Sequence, residues 1–442
     1  MTLLLKAGLL WTGIQEIEGG WILTRDGMIE QVGSGPPPRA DEVVQEPNCV
    51  AIPGLVNAHD HMYQWATRGY VPDGTLFEWL RALYPVWARI DADTVRIAAR
   101  AAAARLLLSG CTLSTDHHYV FPRGRPGIFQ ALVDSVLELG LRFQPCRGSM
   151  SLGESNGGLP PDKVVEEEEP ILAHTEAMIA RYHNPKPGAM SRVVVAPCSP
   201  FSVTPQLMRA SAELARKHGV RLHTHVAETT DEERFCLEKF GRRPVDLMED
   251  LGWTGGDVWY AHAIHLSDGE VNLLAATSTG VAHCPSSNMR LGAGICRVED
   301  LLRAGARVGL GVDGSASNED SEIAVEAHMA LLLARVRNQS PTALDARTAL
   351  SLATKGGADC LGRDDCGLLE VGRCADVACF RVDDLAHAGI KDPLAGLALV
   401  PPSRAQTVVV NGRVVVRDGR LLTADEDEIA REIASVSAAL AG

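Results

Sequence analysis

The chain has no basic block. Its net charge is −14, which argues against nucleic-acid polymers and anionic membranes as partners. It also has no apolar run of about 20 residues, the length a membrane-spanning helix needs. Met1-Thr-Leu-Leu-Leu-Lys6 lacks a basic lead-in and a cleavage site, so no secretory leader is expected. Eleven cysteines, an odd number scattered over a long chain, make no disulfide framework. They read as reduced thiols, and a cytoplasmic location is expected. No internal repeat is visible. A small heterocyclic base remains compatible with this acidic balance.

What is present is a soluble-enzyme composition of 442 residues, 46% of them apolar. That length suggests one large domain with a smaller companion. Strand-like runs lie at Ala51–Asn57, Cys111–Thr115, Arg142–Gly148, Arg192–Pro197, Val220–Thr224, Val258–Ala261, Gly280–Ala282 and Arg307–Val312. They alternate with helical stretches such as Ile97–Ser109 and Leu207–His218. This order predicts a distorted (β/α)8 barrel over residues 53–367, with its chemistry at the C-terminal ends of the strands. Leu3–Gly33 and Gly367–Leu422 read instead as short strands. Their turns are Gly19-Gly20, Asp26-Gly27, Asn411-Gly412 and Asp418-Gly419. Neither end buries a sheet face alone, so residues 1–52 and 368–442 are expected to combine into one small β-sandwich domain. Gly33–Asp41, with three consecutive prolines, is the expected connection. Ile429, Ile433, Val436 and Leu440 have helical spacing. The acidic run Glu166–Glu169 reads as a solvated helix face.

Four fragments carry the chemistry: His59-Asp60-His61, His225-Val-Ala-Glu228, His262 and Asp313. Each closes a strand-like run. Residues i and i+2 of a strand face the same way, so His59 and His61 can reach one ion. His225 is expected as a further ligand, which sets Glu228 beside the bound water. His223 is expected to be packed and hydrogen-bonded in the barrel interior. Asp313 ends an apolar strand, where an unpartnered carboxylate is costly and a metal supplies the partner. Three imidazoles and a carboxylate suit catalytic zinc, which keeps one position open for water. Water on zinc has a pKa of about 7 instead of 15.7, roughly 12 kcal/mol toward hydroxide. The fourth predicted strand, Arg192-Val-Val-Val-Ala-Pro-Cys198, has no lysine to bridge two ions, so one zinc per chain is expected, with iron(II) as the alternative. The compact HxE…PCxxC deaminase signature is absent as well.

The HxH after strand one, HxxE after strand five, His after strand six and Asp after strand eight resemble the amidohydrolase superfamily, in particular its mononuclear zinc deaminase branch. The resemblance covers nearly the whole chain, including Val371–Val382 and Val408–Gly419, which look like the family's composite β domain. Thr115–Pro122, Gly148–Gly153, Gly157–Asp162, Ala196–Val203 and His283–Leu291 resemble the bacterial 8-oxoguanine deaminases, enzymes similar to triazine hydrolases. Asp60 departs from the His expected between the two ligands, and its side chain should point away from the metal.

The resemblance implies hydrolytic loss of ammonia from an amino-substituted base, 8-oxoguanine going to urate, as a step of purine catabolism. Guanine, isocytosine and pterin share its amino–oxo edge and are the alternatives. His59, His61, His225 and Asp313 would hold zinc. Glu228 would protonate a ring nitrogen, His262 would stabilise developing charge, and Asp313 would take the proton of the water. Glu228 must then be partly protonated, as burial favours. Gln64, Tyr119 and Cys198 are the expected substrate contacts, Gln64 because its amide both donates and accepts. Cys198 stands where guanine deaminases place an Arg. Phe77–Ile90 is expected to be a helix over the pocket or a contact in a homodimer. A triazine hydrolase expelling chloride or an alkylamine would use the same metal, and Glu228 favours an amine leaving group. A non-catalytic metal scaffold would need neither Glu228 nor His262.

Overall fold

The computed structural model describes residues 1–442. Eight parallel strands form one sheet, each paired with the next in chain order. They are β1 (Leu55–Asn57), β2 (Cys111–His118), β3 (Arg142–Ser149) and β4 (Val194–Pro197). β5 (Arg221–Val226), β6 (Val258–His262), β7 (Gly280–His283) and β8 (Val308–Leu310) complete it. The first and last strands meet where Ala58 N–H donates to Leu310 O at 2.8 Å and Asp313 N–H to His59 O at 3.0 Å. That closure brings two of the expected ligands together although 254 positions separate them in the chain. The strands are nearly continuous buried runs, as a parallel sheet covered on both faces requires.

Helices cover the outside. Ala92–Leu108 starts at Asp91, whose carboxylate accepts Thr94 N–H at 2.9 Å, and its alanines let it lie close to the sheet. Pro205–His218 starts at Thr204 with Pro at its first position and stops at Gly219, whose φ is +63°. Each is bounded by the residues that terminate helices, so the alternation seen in the sequence becomes a barrel by local rules.

The expected strand Ala51–Asn57 is two strands. Glu42–Pro53 belongs to the other sheet, and β1 begins at Leu55. The break falls at Gly54, where a Cβ would lie 2.0 Å from Thr112 Oγ1, so only glycine lets the chain cross from one sheet to the other.

That other sheet has nine strands drawn from both ends of the chain. The two contributions join where Glu42–Pro53 pairs antiparallel with Val377–Arg381. Arg25 pairs with Met28, Val410 with Arg413 and Arg417 with Arg420, which leaves the expected two-residue turns between them. All six turn residues have positive φ, the geometry that matches the twist of a hairpin. Helix Glu426–Ala441 packs on Ala92–Leu108 and buries Ile429 and Leu440.

The Glu166–Glu169 reading needs correction. Helix Glu168–Tyr182 starts only at Glu168. Glu166 pairs with buried Arg147 at the end of β3, with contacts of 2.7 and 3.0 Å, and Glu168 accepts from the Thr204 hydroxyl. Glu166 and Glu168 thus tie loops of the barrel rim together, a buried guanidinium needing a carboxylate, while Glu167 and Glu169 are solvent-exposed as expected.

Candidate metal centre

The ends of β1, β5, β6 and β8 converge on one buried point. His59 Nε2 and His61 Nε2 each lie 3.4 Å from Asp313 Oδ1, and His61 Nε2 lies 3.1 Å from His225 Nε2. The far nitrogens are all engaged. His61 Nδ1 meets His117 O at 2.7 Å, His225 Nδ1 meets Cys198 O at 2.7 Å, and His59 Nδ1 meets His223 Nε2 at 2.8 Å. A carbonyl oxygen only accepts, so Nδ1 of His61 and of His225 must carry the proton. In the neutral rings each Nε2 is then a bare lone pair, and two lone pairs at 3.1 Å cannot hydrogen-bond. His59 Nε2 is buried with no hydrogen-bond partner at all. Burial holds His59 well below its ordinary value, lowers His61 and pushes His225 down to about 3, so the rings stay neutral and ready to bind a cation. The residues present therefore fit a metal ion.

Asp313 is fixed on its other side. Its Oδ2 accepts from Ser287 Oγ at 2.5 Å and from Ser317 Oγ at 3.3 Å. Burial raises its pKa, but the imidazoles of His59, His262 and His61 beside it outweigh that, and the net position is well below the usual carboxylate range. Close approach of His59 to β8 depends on Gly311, where a Cβ would lie 2.6 Å from His59 Cβ. Ala227, His262 and Asp313 all have positive φ, at +57°, +70° and +61°. Such strain costs roughly 1–3 kcal/mol per residue and is held where packing over-determines it. Asp60 turns away from the cluster, accepting from Asn57 Nδ2 at 2.9 Å.

Glu228 and His262 face the cluster from one side, and the ligand atoms of His262, His59 and Asp313 lie within 4.8 Å of one another. His262 Nε2 is 3.7 Å from Glu228 Oε1 and 4.0 Å from Asp313 Oδ2. Its Nδ1 meets Asn288 Oδ1 at 2.9 Å, which leaves Nε2 facing the cavity. Burial lowers His262, yet the carboxylates of Glu228 and Asp313 raise it overall. Burial lifts Glu228 to about 7, Asp313 adds to the rise and His262 opposes it. A proton is therefore available on this side near neutral pH.

A pocket opens from the cluster. Gln64, Tyr119 and Cys198 all line it. Tyr119 presents its ring to the edge of His61, centroids 5.1 Å apart and planes at 88°. Burial pushes the Cys198 thiol up to about 12, so it is neutral and small. The facing wall is helix Leu76–Trp87, which turns Leu76, Trp79, Leu80 and Tyr84 inward. Trp79 Nε1 donates to Ala316 O at 3.3 Å and Trp87 Nε1 to Thr67 Oγ1 at 3.1 Å, so the wall is tied down. Gln64 Oε1 and the Tyr84 hydroxyl are buried without a partner. Sequence reasoning gave no role to Tyr84, Ser287, Ser317 or Asn288. The available signal was the hydroxyl itself, since a buried tyrosine brings a polar atom that needs a partner.

Two further groups of potential ligands are already committed. His117 Nε2 meets Ala196 O at 2.7 Å and His223 Nδ1 meets Trp259 O at 2.9 Å, while His223 Nε2 is taken by His59. Asp365, beside Cys366 and Cys374, is paired with Arg363 at 2.8 Å.

The amidohydrolase family pattern matches residues 50–415. The chain is 48% identical over 429 residues to the 8-oxoguanine deaminase of Pseudomonas aeruginosa, covering 96% of this chain and 95% of that one. It is 39% identical over 439 residues to the hydroxydechloroatrazine ethylaminohydrolase of a Pseudomonas species, with 94% and 90% covered. The crystal structure of atrazine chlorohydrolase from Arthrobacter aurescens, complexed with zinc, aligns with a TM-score of 0.95 at 33% identity over 98% of this chain and 100% of that one. On these matches, and with a (β/α)8 barrel carrying its polar cluster at the strand ends, the chain belongs to the amidohydrolase family.

Proposed function

We propose that the chain is a mononuclear zinc deaminase that hydrolyses 8-oxoguanine to urate and ammonia. The observation that carries this reading is the pair of bare Nε2 lone pairs on His61 and His225, 3.1 Å apart, beside a glutamate held near pKa 7. His59, His61, His225 and Asp313 hold one zinc, and the same donor set accepts iron(II). When bound, the metal lowers the pKa of a coordinated water to about 7 and so supplies the nucleophile.

The protein's own groups do the rest. Asp313 takes the proton of the attacking water, and Ser287 and Ser317 steady its carboxylate. Glu228 delivers a proton to the ring nitrogen next to the amino-bearing carbon, so attack builds no bare ring anion. His262 Nε2–H stabilises the charge that develops beside it. The proton then passes to the amine, which leaves as ammonia. Gln64, with its unpartnered Oε1, reads the amino–oxo edge of the base, and Tyr119 and Cys198 shape the pocket around the ring. The small domain of residues 1–52 and 368–442 supports the catalytic barrel of residues 53–367. Eleven free, buried cysteines suit the reducing cytoplasm. The reading includes a homodimer; Leu332 and Val336, one turn apart and exposed on helix Ile323–Asn338, offer an apolar strip for it.

Tyr84 extends the recognition. In 8-oxoguanine the carbon that loses ammonia and the extra oxygen lie at opposite ends of the base. With the first end at the metal, the second reaches toward the helical wall, where the Tyr84 hydroxyl lacks a partner. A neutral hydrogen bond is worth about 0.5–1.5 kcal/mol. Tyr84→Phe is therefore expected to lower kcat/KM for 8-oxoguanine by about 2- to 13-fold. Isocytosine, which lacks that ring, should change by less than about twofold. Equal losses for both bases would remove Tyr84 from this role.

The test of the proposal is a panel of 8-oxoguanine, guanine, isocytosine, a pterin and an amino- or chlorotriazine, with each leaving group measured. The expected outcome is ammonia release with 8-oxoguanine preferred at least tenfold, about 1.4 kcal/mol of transition-state discrimination. Preference for isocytosine, guanine or the pterin would change the substrate and keep the reaction. Ethylamine or chloride release in place of ammonia would establish the triazine reading.

A further inference from the structure

The ligands His61 and His225 each donate Nδ1–H to a backbone carbonyl, an acceptor that has no alternative state. His59 differs: its Nδ1 faces His223 Nε2 at 2.8 Å, another imidazole. Either ring could donate across that contact, so something else must decide the direction. The decision is made one step further in. His223 Nδ1 lies 2.9 Å from Trp259 O, which can only accept. His223 therefore carries its proton on Nδ1, its Nε2 is an acceptor, and His59 must donate from Nδ1. His59 Nε2 is then the bare nitrogen turned to the metal position, where it is buried and has no other partner.

The opposite arrangement fails at His223. With the proton on His59 Nε2, His223 would have to donate from Nε2. Its Nδ1 lone pair would then oppose the lone pair of Trp259 O at 2.9 Å. A doubly protonated His223 would be a buried cation in contact with no carboxylate, which is costly. The backbone leaves His223 little freedom. It shares a strand face with His225, and its ring stacks on Trp259 with centroids 4.3 Å apart and planes at 13°. The same Trp259 donates Nε1–H to Ala58 O at 3.0 Å, fixing the backbone just before His59.

We propose that His223 is a positioning residue for the metal centre: by accepting the Nδ1 proton of His59 it sets His59 Nε2 as the metal-binding nitrogen. The inference rests on the assignment of His59 as a ligand. Partners of this kind are worth about 10–100-fold in metal affinity.

Two variants separate acceptor from bulk. In His223→Gln the amide oxygen lies near the position of Nε2 and can still accept. In His223→Asn the shorter amide reaches only the position of Nδ1. Zinc affinity of each protein is measured by competition with a chelator. The expected result is that His223→Asn binds zinc at least about tenfold more weakly and that His223→Gln stays within about threefold of the parent. Equal weakening in both, or none in either, overturns the proposal. A direct reading does not depend on the variants folding: nitrogen NMR of the zinc-loaded parent, labelled with 15N-histidine, reports the tautomers. His223 protonated on Nδ1 and His59 metallated through Nε2 supports the proposal, and His223 protonated on Nε2 overturns it. A parent protein that binds no zinc overturns the metal reading itself, an outcome distinct from any difference between the variants.

Discussion

Replacing Glu228 with Gln is expected to leave the zinc bound and the barrel folded while slowing ammonia release at least about 100-fold, the usual scale for a lost general acid–base. The amide keeps the shape of the side chain and one donor, but it cannot give up a proton. Glu228 stands outside the metal cluster, 3.7 Å from His262 Nε2, so the ligand set is untouched. Burial holds the carboxyl near pKa 7, and the proton it delivers is present below that pH and lost above it. The parent's kcat should therefore fall as pH rises through about 7, and the variant should lack that limb. The loss should appear in kcat more than in KM, because the proton is transferred only in the transition state. Near-normal turnover in a zinc-loaded variant would remove Glu228 from the mechanism.

Asp313→Ala is expected to have the larger effect. The parent should hold one zinc per chain and the variant essentially none. Turnover should drop at least about 10³-fold, a modest fraction of the roughly 12 kcal/mol by which zinc acidifies water. Asp313 is the only carboxylate within 3.4 Å of His59 Nε2 and His61 Nε2. Its removal also takes away an acceptor of the Ser287 and Ser317 hydroxyls, which keep their contact with each other and, for Ser317, with Gly314 O. Metal depletion of the parent separates these effects. It should abolish turnover and lower the melting temperature, with both restored by zinc, because an ion present at 100 times its Kd stabilises the folded state by about 2.7 kcal/mol. Two tightly held ions per chain, both needed for turnover, would contradict the account.

Much of this was legible in the sequence, for physical reasons. The hairpin turns at Asp26-Gly27, Asn411-Gly412 and Asp418-Gly419 were visible because positive φ at both turn positions is a local demand that few residues meet. The strand ends were visible because His, Glu and Asp closing apolar runs are conspicuous. Strand alternation placed Asp60 away from His59 and His61, and Asn57 holds it there.

What was not legible depends on partners far along the chain. Pro53-Gly54 interrupts the apolar run Ala51–Val56, but which sheet each half joins is set by distant partners, among them Thr112 against Gly54. Glu166 looked solvated until Arg147 was brought beside it. The direction of the His59–His223 contact is set by a carbonyl at Trp259. Tyr84 hides in a helical stripe of Leu and Trp, and only the closed cavity leaves its hydroxyl alone.

The most direct measurement is turnover of 8-oxoguanine by zinc-loaded protein in 18O-labelled water. The account predicts equimolar ammonia and urate, with one labelled oxygen on the carbon that carried the amine, and no product after metal removal until zinc is restored. Urate without label, or turnover that survives metal removal, would contradict hydrolysis at this centre.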